Sequence, residues 1–101
     1  MEIGGMPWFP VDVAGVNNQV VRMALYKGEY HWHKHDNEDE LFYVLQGRIT
    51  IQMKNYPDLV LSEGDMAVVP KVIEHCPKSG AESYVLMFEP YELKSKGDKN
   101  V

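Results

Sequence analysis

Apolar and polar residues alternate along this chain in short runs with a period close to two, and no stretch holds a helical period of useful length. Val20 to Tyr26 reads as a strand that stops at Lys27-Gly28. Tyr30-His31-Trp32-His33-Lys34-His35 alternates as a second strand, with His31, His33 and His35 on one face, and the polar turn Asp36-Asn37-Glu38-Asp39 breaks it. Glu40 to Gln46 and Arg48 to Met53 are two apolar-rich strands joined at Gly47, followed by the turn Asn55-Tyr56-Pro57-Asp58. Leu59 to Leu61, the turn Ser62-Glu63-Gly64-Asp65 and Met66 to Val69 form a predicted hairpin that Pro70 closes. His75 belongs to a short extended piece, Lys78-Ser79-Gly80 reads as a turn, and Ser83 to Glu89 is the last strong strand. Strands spaced by about 8 to 12 residues predict an all-β sandwich or barrel.

The ends read differently. Residues 1–19 form an N-terminal arm in which Pro7, Trp8, Phe9 and Pro10 call for burial, expected against a partner subunit, and residues 94–101 hold nothing to bury and are expected to fray. With 101 residues the chain is expected to be one domain, 1–101, built on one core. The burial margin at this length is thin, so a homodimer that covers outer apolar faces is expected.

Composition narrows the partners. The net charge is −5 and Lys and Arg form no cluster that could follow a phosphate backbone, which argues against nucleic acid. No run approaches the roughly 18 apolar residues of a membrane span, and no basic segment with an apolar run opens the chain, so a cytoplasmic protein with no membrane partner is expected. The single cysteine, Cys76, has no intrachain disulfide partner.

Metal-binding histidines need unprotonated nitrogens that converge, and two at i and i+2 of a strand leave the same face. His33 and His35 meet that condition, Glu40 follows the turn with a hard anionic oxygen, and His75 is the one histidine outside the cluster. The same residues would also suit a surface strand with solvated histidines, or an inward set satisfied by hydrogen bonds.

These residues resemble a family. Gly28, His33-Lys34-His35, Glu40 and Gly47 look like the first cupin motif, and Gly64, Pro70 and His75 look like the second, with residues 48–63 between them as in the small stand-alone microbial cupins. The resemblance implies a jelly-roll barrel, the cupin-type double-stranded β-helix, that holds one divalent transition metal ion (Fe, Mn, Ni, Zn or Cu) through His33, His35, Glu40 and His75. Gly28 lies one residue closer to His33 than the pattern has it, Val72 stands where glycine is usual, and Ser79 replaces a terminal asparagine. A β-branched residue suits positive φ poorly, so the turn at Val72 is expected to be rebuilt.

His31, His33 and Glu38 repeat the spacing of His33, His35 and Glu40, but Gly47 falls at the right distance from Glu40 only, which leaves His31 at the mouth of the site or in solvent. Cys76 should face away from the ion if His75 faces it. Phe42, Val44 and Gln46 share the face of Glu40 and are candidates to line the pocket, with Tyr26, Met53 and Met87 as further ones. Candidate acid or base groups beyond the ligands are Tyr26, Tyr43, His31 and Gln46. The expected function is a metalloenzyme of dioxygenase-like or isomerase-like type acting on a small oxygenated metabolite, with anionic or enolic oxygen preferred. The alternative is a non-catalytic, metal-dependent module that binds a small molecule.

Overall fold

The computed structural model describes residues 6–93, in which all seven regular elements are strands. In chain order they are β1 (Val11–Val16), β2 (Gln19–Glu29), β3 (Glu40–Gln46), β4 (Arg48–Met53), β5 (Tyr56–Ser62), β6 (Met66–Val69) and β7 (His75–Pro90). The predicted frayed tail, 94–101, lies outside the described residues, as does the start of the arm.

Every pairing is antiparallel. One layer has the order β1-β2-β7-β3-β6, and a second is built from β4, β5 and the first part of β7. β7 serves both: Tyr84 to Phe88 lies between β2 and β3, whereas His75 to Lys78 pairs with β4. Inward positions of the first layer, among them Ala24, Tyr26, Phe42, Val44, Val85 and Met87, meet Ile49, Ile51 and Leu61 of the second in one buried core. The Val, Ile, Leu, Phe and Met side chains of this set each contribute roughly 1.5–3 kcal/mol by leaving water.

Several expectations change here. The arm contains β1, which pairs with β2 across the tight turn Asn17-Asn18, where Asn17 takes φ of 57°. Asparagine between two apolar runs is a hairpin signal that the sequence did carry. Trp8 finds its burial within its own chain, stacked at 4.9 Å on Tyr30 and tilted at 4.4 Å against Tyr26. Residues 30–35 are extended but form no strand, since they pair only at a bridge between His33 and His75. Lys78-Ser79-Gly80 is no turn either, because β7 runs straight through it while β2 continues past a bulge to pair Gly28 with Ser79.

Consecutive strands also change layer where hairpins were expected. β5 and β6 do not pair; a turn in which Ser62 and Asp65 bond each other sends the chain from β4–β5 across to β3. At the corner between β3 and β4, Gly47 takes φ of 100°, and a Cβ there would strike the Ser83 side chain, so both backbone and space require glycine.

Candidate metal centre

Two backbone hydrogen bonds lock the histidine run against the start of β7: His33 N–H donates to the His75 carbonyl at 3.0 Å and His75 N–H to the His33 carbonyl at 2.9 Å. Alternation then does what a strand would do. Trp32 stays exposed, while His33 and His35 turn inward with 3% and 2% of their surface left. Glu40 and His75 open β3 and β7 on the same inner side, both buried. One ligand atom from each of the four lies within 4.8 Å of the other three. Donors roughly 2.1 Å from an ion stand about 4.2 Å apart when opposite, so this set closes on one ion with little contraction.

Hydrogen bonds fix which nitrogen is free. His33 Nδ1 lies 3.0 Å from the His31 carbonyl and His75 Nδ1 2.8 Å from that of Ile73, so in each ring Nδ1–H donates and Nε2 keeps its lone pair. His75 Nε2 and both ring nitrogens of His35 are buried without a hydrogen-bond partner, and Glu40 Oε1 approaches them only to 3.5 Å (His35) and 3.8 Å (His75). Such orphaned polar atoms cost stability unless something binds them. A divalent cation fits them.

The turn before β7 supports this end of the barrel. Val72 N–H donates to the His35 carbonyl at 2.7 Å. Val72 itself takes φ of 65°, so the turn keeps the conformation of the usual glycine and is not rebuilt. A β-branched residue pays roughly 1–2 kcal/mol for that backbone.

Burial, seconded by the nearby His75, holds His33 down at about 4, so its imidazole is neutral and ready to coordinate at neutral pH. For Glu40 burial works toward a higher value, but contacts from His35, His75 and Glu89 overcome it and keep the carboxyl below the usual range. Glu89 is a buried residue that the sequence reading passed over. It shares the inward phase of Val85 and Met87, and the pairing of Leu41 with Phe88 sets it level with Glu40 on the neighbouring strand. Burial and then the Glu40 carboxylate push Glu89 up to about 9, against the pull of Arg22, whose Nη1 lies 2.6 Å from Glu89 Oε2. Arg22 also ties in Asp12 of β1 and the carbonyls of Tyr91 and Leu93. A charge at the buried phase of a strand was the signal for Glu89.

His33 and Glu40 open on a small cavity whose wall is otherwise apolar and aromatic, with Trp8, Tyr26, Tyr30, Phe42 and Met87 prominent. Of the expected lining residues, Tyr26, Phe42 and Met87 are there. Val44 lies deeper in the core, Met53 packs against that core, and Gln46 is exposed beyond a bulge that shifts the end of β3. His31 packs at a tilt against Tyr30 with ring centroids 4.0 Å apart and stays outside the ligand set. Burial, with Glu40 and Glu89 nearby, holds the Tyr26 phenol well above its usual range, and its hydroxyl contacts Met87 Sδ at 3.2 Å. Cys76 is buried beside His75 with its thiol pushed up by burial, and it is not part of the ligand set. A larger hollow of about 830 Å³ lies elsewhere, floored by Ser79 and Ser83, and none of the orphaned atoms reaches it.

Comparison with known proteins agrees with this geometry. The chain is 38% identical to the uncharacterized protein YdbB of Bacillus subtilis (strain 168) over 78 residues, 77% of this chain and 69% of that protein. A cupin-2 domain protein from Shewanella frigidimarina superposes with a TM-score of 0.82 at 31% identity, covering 85% of this chain and 83% of that one. Hydroquinone 1,2-dioxygenase from Sphingomonas sp. TTNP3, solved with 4-hydroxybenzoate bound, shares the fold with a TM-score of 0.78 at 16% identity over 89% of this chain and 70% of its own. The family model for the cupin domain matches residues 21–89, which include His33, His35, Glu40 and His75. With its jelly-roll strands and its His33, His35, Glu40 and His75 set in the places that model covers, the chain belongs to the cupin family.

Proposed function

We propose that this cupin is a metal-dependent enzyme of dioxygenase-like or isomerase-like type that acts on a small oxygenated metabolite. The observation that carries this reading is a buried set of three imidazoles and one carboxylate converging on one point, with unpartnered nitrogens on His35 and His75 and with His33 and Glu40 opening on an apolar cavity. A divalent transition ion held there would supply Lewis acidity, and a redox-active one electron transfer as well. Three neutral rings and one carboxylate leave the centre net positive, which favours an anionic or enolic oxygen on the substrate. The chain's own residues supply orientation and dryness: His31 and Ile73 carbonyls aim the rings, Glu89 backs Glu40, and the aromatic wall excludes water. Of the acid–base candidates read from the sequence, Tyr26 lines the cavity, a neutral phenol placed to hold or donate a proton, with the Tyr30 phenol beside it.

Elemental analysis of protein purified without a nickel column, followed by oxygen-uptake assays with enolic and catecholic compounds, tests the reading. Metal-dependent turnover that His75→Ala abolishes supports the enzyme. The second reading, a metal-dependent binding module, is favoured by how few acid–base groups reach the cavity; tight metabolite binding without turnover would select it.

We further infer a homodimer through the outer face of the first layer. Register places Val21, Phe88, Leu41 and Val68 in one outward row and Met23, Leu86, Tyr43 and Met66 in the next, with no charge among them. A self-complementary apolar face suits a two-fold pair. Light scattering should return twice the chain mass, and Val68→Lys should halve it. The cysteine buried in reduced form is in keeping with a reducing, cytoplasmic setting.

A further inference from the structure

The cavity in front of the candidate metal centre is nearly full. Its free volume is about 20 Å³, room for roughly one water molecule. Trp8 lines that space together with His33 and Glu40, its indole tilted against Tyr26 and stacked on Tyr30. An indole withdrawn from there would open space on the order of the roughly 150 Å³ that accommodates benzene.

Trp8 is held in a manner that allows withdrawal. Its backbone takes φ of 66°, a left-handed conformation that costs a tryptophan roughly 1–2 kcal/mol. Besides ring stacking, it is fastened by two hydrogen bonds to the edge of β2, N–H to the Leu25 carbonyl at 2.8 Å and Nε1–H to the Lys27 carbonyl at 2.9 Å. Of its neighbours, Met6 and Phe9 are each 63% exposed, and the chain is next tied down at Pro10 and Val11. Pro7 and Pro10 bracket the residue, so the segment moves as a stiff strap more readily than as a loose coil.

The wall that the indole touches carries no charged group apart from the proposed ligand Glu40. It is shaped to hold a flat ring by stacking, as it now holds its own.

We propose that the ligand class of this site is a flat, uncharged ring compound of benzene to indole size with an oxygen that reaches the metal, and that it enters by displacing Trp8. This deepens the metal-dependent reading above and rests on it for the oxygen contact. The site is self-occupied in the closed state, so the strap excludes water and small non-ring anions until a ring competes for the same stacking partners.

Trp32→Phe leaves Trp8 as the one tryptophan of the chain, and fluorotryptophan incorporated there reports its surroundings by fluorine NMR. Catechol is titrated into zinc-loaded protein, since zinc has no redox chemistry of its own. At saturation the Trp8 signal should move to the solvent-exposed position. Trp8→Ala should bind catechol about tenfold more tightly, the factor expected if the closed state holds about nine-tenths of the population. An unmoved Trp8 signal at saturation, or weaker catechol binding by Trp8→Ala, overturns displacement; succinate bound as tightly as catechol overturns the ring class. Metal-free Trp8→Ala should also take up indole. Indole uptake by a protein that takes no zinc upholds the ring cavity and refutes the metal reading, whereas zinc binding with neither catechol nor indole refutes the ring class alone. Should Trp8→Ala fail to fold, the fluorine measurement on the parent and the milder Trp8→Phe, expected to bind catechol with intermediate affinity, decide the matter.

Discussion

Two buried polar clusters sit along β7, and they have opposite hydrogen-bond economies. Ser79 and Ser83 are 4% and 1% exposed, and each hydroxyl is spoken for: Ser83 Oγ accepts Arg48 N–H at 3.0 Å, and both lie within 3.1 Å of the Arg48 carbonyl and 2.9 Å of each other. At the other cluster His35, His75 and Glu40 are as deeply buried, yet ring nitrogens face inward with nothing to bond. Burial of polar side chains therefore separates nothing by itself. Satisfied groups fasten the corner between the two layers, and unsatisfied ones that converge on a point mark a ligand site.

Removing one member from each cluster gives the sharpest contrast. His33→Ala, His35→Ala or His75→Ala should weaken metal binding by more than about 100-fold, beyond the usual effect of losing a residue that only orients a ligand. His31→Ala should cost far less. A chelator-competition titration measures all four, and equal losses for His31 and His33 would mean that the ligand register is wrong.

Acid conditions come next in size. His33 in the fold stays neutral down to about 4, while an unfolded histidine titrates near 6.5. Between those values the unfolded chain binds a proton that the folded one does not, so stability present above pH 6.5 is lost as pH falls toward 4. His33→Asn is free of that loss and should gain on the parent by up to about 3 kcal/mol over the window. Glu89, raised to about 9, contributes stability that is lost as pH rises from 4.5 to 9; it acts in both proteins and cancels in the difference. Urea melts of metal-free protein give the comparison, and a gap that does not change with pH would contradict it.

Ser83→Ala probes the satisfied cluster. It leaves Arg48 N–H without its acceptor and should cost about 1–3 kcal/mol of stability while metal affinity stays within about twofold. A large drop in affinity would join the two clusters into one functional unit. Smallest of the set, Val72→Gly should stabilise by up to about 1 kcal/mol, because relief of the left-handed strain is partly offset by a freer unfolded chain. A loss in the same melt would show that the exposed valine side chain is worth more than its strain.

Much of the site could be read without coordinates because its ligands obey local rules. His33 and His35 two apart, Glu40 after a polar turn and Gly47 in register with it are all short-range statements. So are the limits of β3, β4 and β6, which glycines and a proline bracket. What the sequence concealed is set by distant partners. Lys78-Ser79-Gly80 has turn chemistry, but β2 and β4 on either side hold it extended. Residues 30–35 have strand chemistry, yet only His33 forms a β-bridge, while Tyr30 N–H donates to the Pro77 carbonyl and the His35 carbonyl accepts from Val72 N–H. Trp8 reads as a residue awaiting another subunit until Tyr26 and Tyr30 are seen beneath it. Glu89 is plain only once its strand's inward phase and Arg22 are known.

The double role of β7 has a consequence for assembly in time. β2, β3 and β4 all depend on it for a bonded edge, and every one of them precedes it in the chain. During synthesis the earlier strands therefore emerge with those edges open, and the barrel closes only after residue 90 has cleared the ribosome. Contacts of such long sequence separation fold slowly, so the growing chain passes through an interval in which open strands invite pairing with other molecules.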